Sequence, residues 1–380
     1  MRYVLCIMLL AMSIEQGVFA APRVPSNPQE VLERLPENVF VPAVVNAKKP
    51  DLTEALTQAQ TLLAHSQQTG DPRYLGYAEA QLQPWLIQGN IPDNVLLMRA
   101  RLRQFDHQFA SALIDIAQVL QHQANHPEAL FLQASIYQVR GDYSQARSAC
   151  QRMRSLSTLM LALACEAQVD GLNGQSDKAF KTLTLLSSSV KNLEAGQQEW
   201  FYLALGDLAV RRGQLADAEQ YYRRLDMSSP AALSSLSDVL LLQKRYAEVQ
   251  KLLINYQQHD GLLLRLAIAE KALNTLQAQA LAQTLQQRFT ALRLRGDNSH
   301  LREEALFAFY VQDNASNALT LARANWIQQR EPQDAEIYWL IAQKTQSTAD
   351  IRLLQTWLKQ TKLQDMYITP SSRVTLGVKS

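Results

Sequence analysis

Two carboxylates, two histidines and two cysteines are the residues of this 380-residue chain whose type and spacing could do chemistry. Asp207 and Asp238 stand 31 residues apart at equivalent steps of neighbouring repeat units, and paired carboxylates can divide acid and base roles. Nothing near them in sequence would raise a carboxyl pKa or supply a nucleophile. They read instead as recognition of a basic peptide group or as solvated charge. His122 and His126 have the four-residue spacing that seats a metal on one helical face. Pro127 biases His126 off the helix, and no third ligand is evident. The pair reads as imidazoles complementing a helix C-terminus, and neither a metal nor any other cofactor is expected. The chain has no Gly-rich phosphate loop and no Gly-x-Ser-x-Gly elbow. Cys150 and Cys165 lie equally far from a turn near Ser157, a placement that sets them level on antiparallel helices. They read as a disulfide or as two small buried apolar residues.

These residues need elements to position them, and the sequence supplies helix pairs. The stretch from Trp200 to Pro230 reads WFYLALGDLAVRRGQLADAEQYYRRLDMSSP, two helical segments about a turn at Gly213. The position of Ala218 recurs as Ala112, Ala146, Ala179 and Val249, with gaps of 34, 33, 39 and 31. A period this constant marks stacked helical repeats. Helical hairpins are expected over 52–65 with 74–85, 94–104 with 109–122, 128–139 with 143–153, 159–172 with 176–186, and 233–244 with 246–256. Weaker ones follow around 262–289, 300–326 and 334–362. The polar run 187–192 adds about five residues to the period and accounts for the long gap.

The copy at 200–230 resembles a tetratricopeptide repeat, with Tyr202, Leu205, Gly206, Gly213, Ala218, Tyr222 and Pro230 at the family's steps and Ala209 where tyrosine is usual. The third hairpin is similar, through Leu130, Ala134, Tyr137, Gly141, Tyr143 and Ala146. In the second, Arg99 stands at a leucine step, and in the fourth Glu166 and Asp170 stand at leucine and tyrosine steps, which leaves that register open. The sixth keeps Leu233, Leu236, Ser237 and Tyr246. The resemblance implies an all-α, right-handed superhelical solenoid of roughly nine antiparallel hairpins, with first helices lining a concave groove. It implies binding and no chemistry. Small residues at Gly206 and Ala218 are expected to meet between helices, with Tyr202 and Tyr222 buried on their flanks.

The remaining segments bound the functional classes. A basic start at Arg2, an apolar run from Val4 to Met12 and a small residue at Ala20 have the parts of a secretory signal over 1–20. The apolar run is about half the ~20 residues of a membrane span, so an exported protein without stable membrane insertion is expected, periplasmic in a bacterium. Residues 21–50 carry six prolines and read as an N-terminal arm, strap or leader, with a short helix open over 29–35. The solenoid is read over 51–362 and a loose tail over 363–380. Net charge is +2, which excludes a strong pull toward nucleic acid. Arg288, Arg293, Arg295 and Arg302 read as a solvated mixed-charge face with Glu303 and Glu304.

A protein or extended peptide is therefore the expected partner. The groove lining is read as Arg101, Gln104, Phe105, Phe131, Ser135, Gln138, Gln168, Trp200, Asp207, Arg211 and Asp238. Phe131 and Trp200 are its aromatic anchors, although Trp200 also fits a hydrophobic staple at a helix start. Two other readings stay open: a structural subunit assembled through the convex face or the N-terminal arm, and an envelope carbohydrate enzyme, for which the solenoid leaves little chain.

Overall fold

The computed structural model describes residues 51–155, 159–297 and 299–368. The signal segment, the arm with its short helix over 29–35, and residues 369–380 lie outside the described residues. Eighteen α-helices follow one another among the described residues, packed as consecutive pairs. They are α1 (Leu52–Thr69) with α2 (Arg73–Leu86), α3 (Asp93–Phe105) with α4 (Phe109–His122), and α5 (Pro127–Val139) with α6 (Tyr143–Arg152). Next come α7 (Leu159–Leu172) with α8 (Ser176–Leu186), α9 (Ala195–Arg211) with α10 (Leu215–Tyr222), and α11 (Pro230–Leu242) with α12 (Tyr246–Leu253). The last three pairs are α13 (Asp260–Ala272) with α14 (Ala278–Leu294), α15 (Leu301–Leu306) with α16 (Ala315–Gln328), and α17 (Pro332–Lys344) with α18 (Thr348–Thr361). A single π turn, Phe307–Val311, prolongs α15.

The local reasons are visible in the chain. Pro opens α5, α11 and α17 at the position where its missing N–H costs nothing. Ser229 caps α11 through its hydroxyl, and Asp51 caps α1. The repeating small position is the packing contact: Ala112, Ala146, Ala179, Ala218 and Val249 are all fully buried or nearly so. The extra residues between α8 and α9 form a 3-10 turn, Ser187–Asn192. Gly206 makes room for the Tyr222 ring, whose atoms are the nearest to where a Cβ would stand. Tyr222 is buried as expected, whereas Tyr202 is only half-buried, edge-on to Phe201 with the Arg224 guanidinium 5.5 Å from its ring centre.

The polar residues at apolar steps explain themselves through partners. Arg99 reaches the buried Asp115 on α4 with two hydrogen bonds of 2.9 and 2.6 Å, and Arg103 joins from the next turn at 2.6 Å. Glu166 is buried beneath Arg154, and Asp170 between Arg147 and Lys178. Ion pairs thus stand where apolar contacts were expected, Lys178 reaching Asp170 across the hairpin while Arg154 and Arg147 reach Glu166 and Asp170 from the preceding segment. Cys150 and Cys165 form a disulfide between α6 and α7, with Cα atoms 5.6 Å apart and both residues fully buried. Such a bond fits an oxidising compartment. Among the described residues no helix is long and apolar enough to cross a membrane.

The arginine cluster is not one solvated face. Arg302 binds Glu331 and Asp334, Arg288 binds Asp260, and Arg293 binds Glu304. Each guanidinium ties its helix to a neighbouring helix or to the loop beside it, so the charges act in the packing.

Candidate functional site

The first helices of the second to sixth pairs carry the eleven residues read as a groove lining. Arg101 on α3 pairs with Glu128 at the start of α5, 2.8 Å away. Gln104 and Phe105 are half-buried, Phe105 packing on the core between α1, α2 and α3. Phe131 on α5 and Trp200 on α9 are also half-buried and meet edge-to-face, with ring centres 5.0 Å apart. Ser135 turns its hydroxyl onto the Phe131 carbonyl at 3.0 Å. Asp238 on α11 accepts two hydrogen bonds from Arg265 on α13, at 2.7 and 2.6 Å. It is a cross-repeat ion pair rather than a free carboxylate.

Two of the eleven are buried. Gln138 is 8% exposed and Arg211 6%, contrary to the expectation that both face an open groove. The cause is the chain's own C-terminal part. Residues 363–368, expected to be loose, form a strap that ends in a turn, the Ile368 N–H donating to the Asp365 carbonyl at 3.4 Å, and in it Leu363, Asp365 and Ile368 are buried. The Met366 N–H donates to the Arg211 carbonyl at 3.0 Å, and the Ser176 N–H donates to Gln364 Oε1 at 3.2 Å. Further back, the Arg330 N–H donates to the Val139 carbonyl at 2.7 Å, and Gln329 meets the His107 ring at 2.9 Å.

These contacts follow an order. The turns within the second, third, fourth and fifth pairs, at His107, Gly141, Gly174 and Gly213, meet Gln329, Arg330 with Trp357, Lys362, and Met366 in succession. Gly174 and Gly213 serve twice. Both have positive φ, at 80° and 75°, which favours glycine. A Cβ on Gly174 would also stand 2.8 Å from the Lys362 Cβ, and one on Gly213 would strike Met366.

Around the buried Arg211 and Asp365 lies a set of ionisable groups that includes the half-buried Asp207 and Glu336. Burial pushes the Asp207 carboxyl up to about 6, against the Tyr222 hydroxyl, which donates to Asp207 Oδ1 at 2.5 Å, and against Arg211. Burial and the neighbouring Asp365 charge lift Glu336 well above the usual carboxylate range. Burial raises Asp365 as well, opposed by its hydrogen bond with Glu336 and by Arg211. The two carboxyls thus stand as a pair whose protons are held more tightly than on free carboxyls, with the Arg211 charge opposing the rise at both. Asp207 is half-buried and accepts the Tyr222 hydroxyl bond, so it is not a free surface charge. Gln138 Oε1, Gln168 Oε1 and Arg211 Nε are buried without a hydrogen-bond partner among the described residues.

The histidines serve the helices. His122, in the last turn of α4, meets Asp93 at 2.8 Å, and His126 accepts from the Ala129 N–H at the start of α5, an N-terminal cap rather than a complement to a C-terminus. No group of three metal-ligating side chains occurs among the described residues. Gln364, Asp365, Met366 and Glu336 escaped sequence reasoning, since no periodic pattern marks them. The apolar residues Leu363, Met366, Tyr367 and Ile368 close together at the start of the tail were the one available signal. Comparison with protein-family models and with curated proteins finds no match for this chain.

Proposed function

We propose that this chain is an exported, non-catalytic scaffold of tetratricopeptide type, a right-handed array of helix hairpins that holds a protein or extended peptide partner on its inner face. The observation that carries this reading is the strap. A short peptide segment, residues 363–368, already lies against the fourth and fifth pairs, held by the Met366 N–H on the Arg211 carbonyl and by the Ser176 N–H on Gln364 Oε1, with Asp365 buried. A partner engages the half-buried stretch that remains, around Arg101, Phe105, Phe131 and Trp200, or takes the strap's place. The disulfide and the signal-like first twenty residues support export.

A second reading, a structural subunit assembled through the outer face, draws on Ile114, Leu185 and Leu294, large apolar side chains exposed on second helices. Site-specific photocrosslinking in an envelope extract separates the two. A crosslinker replacing Ser135 or Gln104 should trap a partner, and Phe131→Ala with Trp200→Ala should abolish the product while leaving helicity intact. Crosslinks obtained only from positions 114 and 185 would assign the partner to the outer face and defeat the proposal.

A further inference from the structure

We infer that the groove between α16 and α18 is a second docking site, for an acidic and apolar peptide segment of a partner protein. It is distinct from the inner face and does not depend on that reading. The groove has a volume of about 690 Å³, within the ~300–1,000 Å³ range of sites that hold ligands. Trp326 and Trp357 form its floor, edge-to-face with ring centres 5.0 Å apart and nearly buried. Ile327 and Leu353 form its walls, and they are 80% and 45% exposed. Two aliphatic side chains left in water on either side of an indole floor gain most if one apolar segment covers them together.

The charge on the rim selects that segment. Arg330 lies with its guanidinium 6.0 Å from the Trp326 ring centre and donates to the Trp326 carbonyl, while Arg352 donates to the Thr348 carbonyl. Among the described residues neither arginine is paired with a carboxylate, and the groove lining contains no acidic side chain. This contrasts with Arg288, Arg293, Arg302 and Arg323, each of which has its own carboxylate. A ligand here must therefore bring apolar side chains for the floor and carboxylates for the rim. Nucleic acid does not meet that demand, because the indole faces are covered and the walls are aliphatic. The groove runs between helices of 14 residues each, about 21 Å long at 1.5 Å per residue. A few turns of an amphipathic helix, or a comparable extended strand, fit that length.

The test is selection of a phage-displayed library of random twelve-residue peptides on the full chain. Enriched peptides should combine at least two large apolar residues with Asp or Glu, and their synthetic forms should shift the tryptophan emission. Leu353→Asp and Arg352→Glu should each weaken binding at least about tenfold, and Arg352→Lys less than that, because Lys keeps the charge but not the fork. Both side chains are exposed, so circular dichroism should be unchanged. Four outcomes overturn the inference: no enrichment; enriched peptides indifferent to Glu→Lys exchange; wild-type self-association that Ile327→Asp abolishes, which would give the groove to a second copy; or binding to phosphatidylglycerol vesicles that Arg352→Glu removes. Peptides that lose binding on Trp200→Ala and keep it on Leu353→Asp would also refute it, while upholding the inner face as the binding surface.

Discussion

Replacing Gly206 by alanine tests the packing that holds the central hairpin and its buried carboxylate together. A Cβ at this position would stand 2.6 and 2.8 Å from the Cζ and Cδ1 atoms of the Tyr222 ring. Tyr222 is 1% exposed and its hydroxyl donates to Asp207, so the ring cannot swing aside without surrendering that bond. Overpacking of this kind costs ~1–3 kcal/mol. Loss of a hydrogen bond to a charged group costs roughly 1.5–3 kcal/mol more. Removing a glycine from a helix interior restores about 1 kcal/mol. The expected net loss is about 3 kcal/mol, read as a lower urea midpoint at unchanged m-value. Gly76, in α2 with nothing within 4 Å of its Cβ position, supplies the control: Gly76→Ala should stabilise by ~0.5–1 kcal/mol. In a Tyr222→Leu background the cost of Gly206→Ala should fall below about 1 kcal/mol, since the clash is between two contacting residues. A Gly206→Ala protein as stable as its parent, or an equal cost in both backgrounds, would refute the reasoning.

Three further outcomes are expected. Reducing Cys150–Cys165, which closes a separation of 15 residues, should lower stability by about 3 kcal/mol; an unchanged urea midpoint in the Cys150→Ala, Cys165→Ala protein would count against a structural role. Stability should be highest near pH 4–5 and fall toward pH 8. Asp207, raised from 3.8 to about 6 by burial, contributes fully below its unfolded pKa and loses that contribution as pH rises through about 6, a term of up to about 3 kcal/mol. Asp350, lowered to about 2 chiefly by Arg323, contributes above its unfolded pKa and is lost as pH falls through about 2. Asp207→Asn should flatten part of the alkaline decline in urea midpoints, and stability that rises from pH 5 to pH 8 would contradict it. Gly174→Ala, strained at positive φ and driven against Lys362, should loosen the strap and expose residues 363–368 to limited proteolysis; a cleavage pattern equal to that of the parent would show that the strap does not rest on this turn.

Much of the helical framework was legible in the sequence because its causes are local. Caps, turn glycines and the recurring alanine act within a few residues or between adjacent hairpins. The disulfide was one of two readings open for the same reason, since Cys150 and Cys165 flank one turn, and the structure decides for the bond. The ion pairs at Arg99, Glu166 and Asp170 were half-legible: the sequence showed charge at apolar steps but not the partner on the facing helix. The inner face was not legible in full. Periodicity led to the expectation that the first helices line a groove, but the accessibility of their residues depends on what else comes to lie there.

That second matter belongs to the tertiary structure alone. Arg211 is buried and lies under a segment more than 150 residues further along the chain, which donates the Met366 N–H to the Arg211 carbonyl. The sequence by itself determined a series of helix pairs with a buried small residue at each repeat and an oxidisable pair of thiols. Where the last pairs and the strap would meet the first ones depends on the small rotation between successive hairpins, summed over the array. No local pattern encodes that sum, because each hairpin contacts its neighbours in nearly the same way and only their accumulated curvature brings Met366 to Gly213 and Arg211.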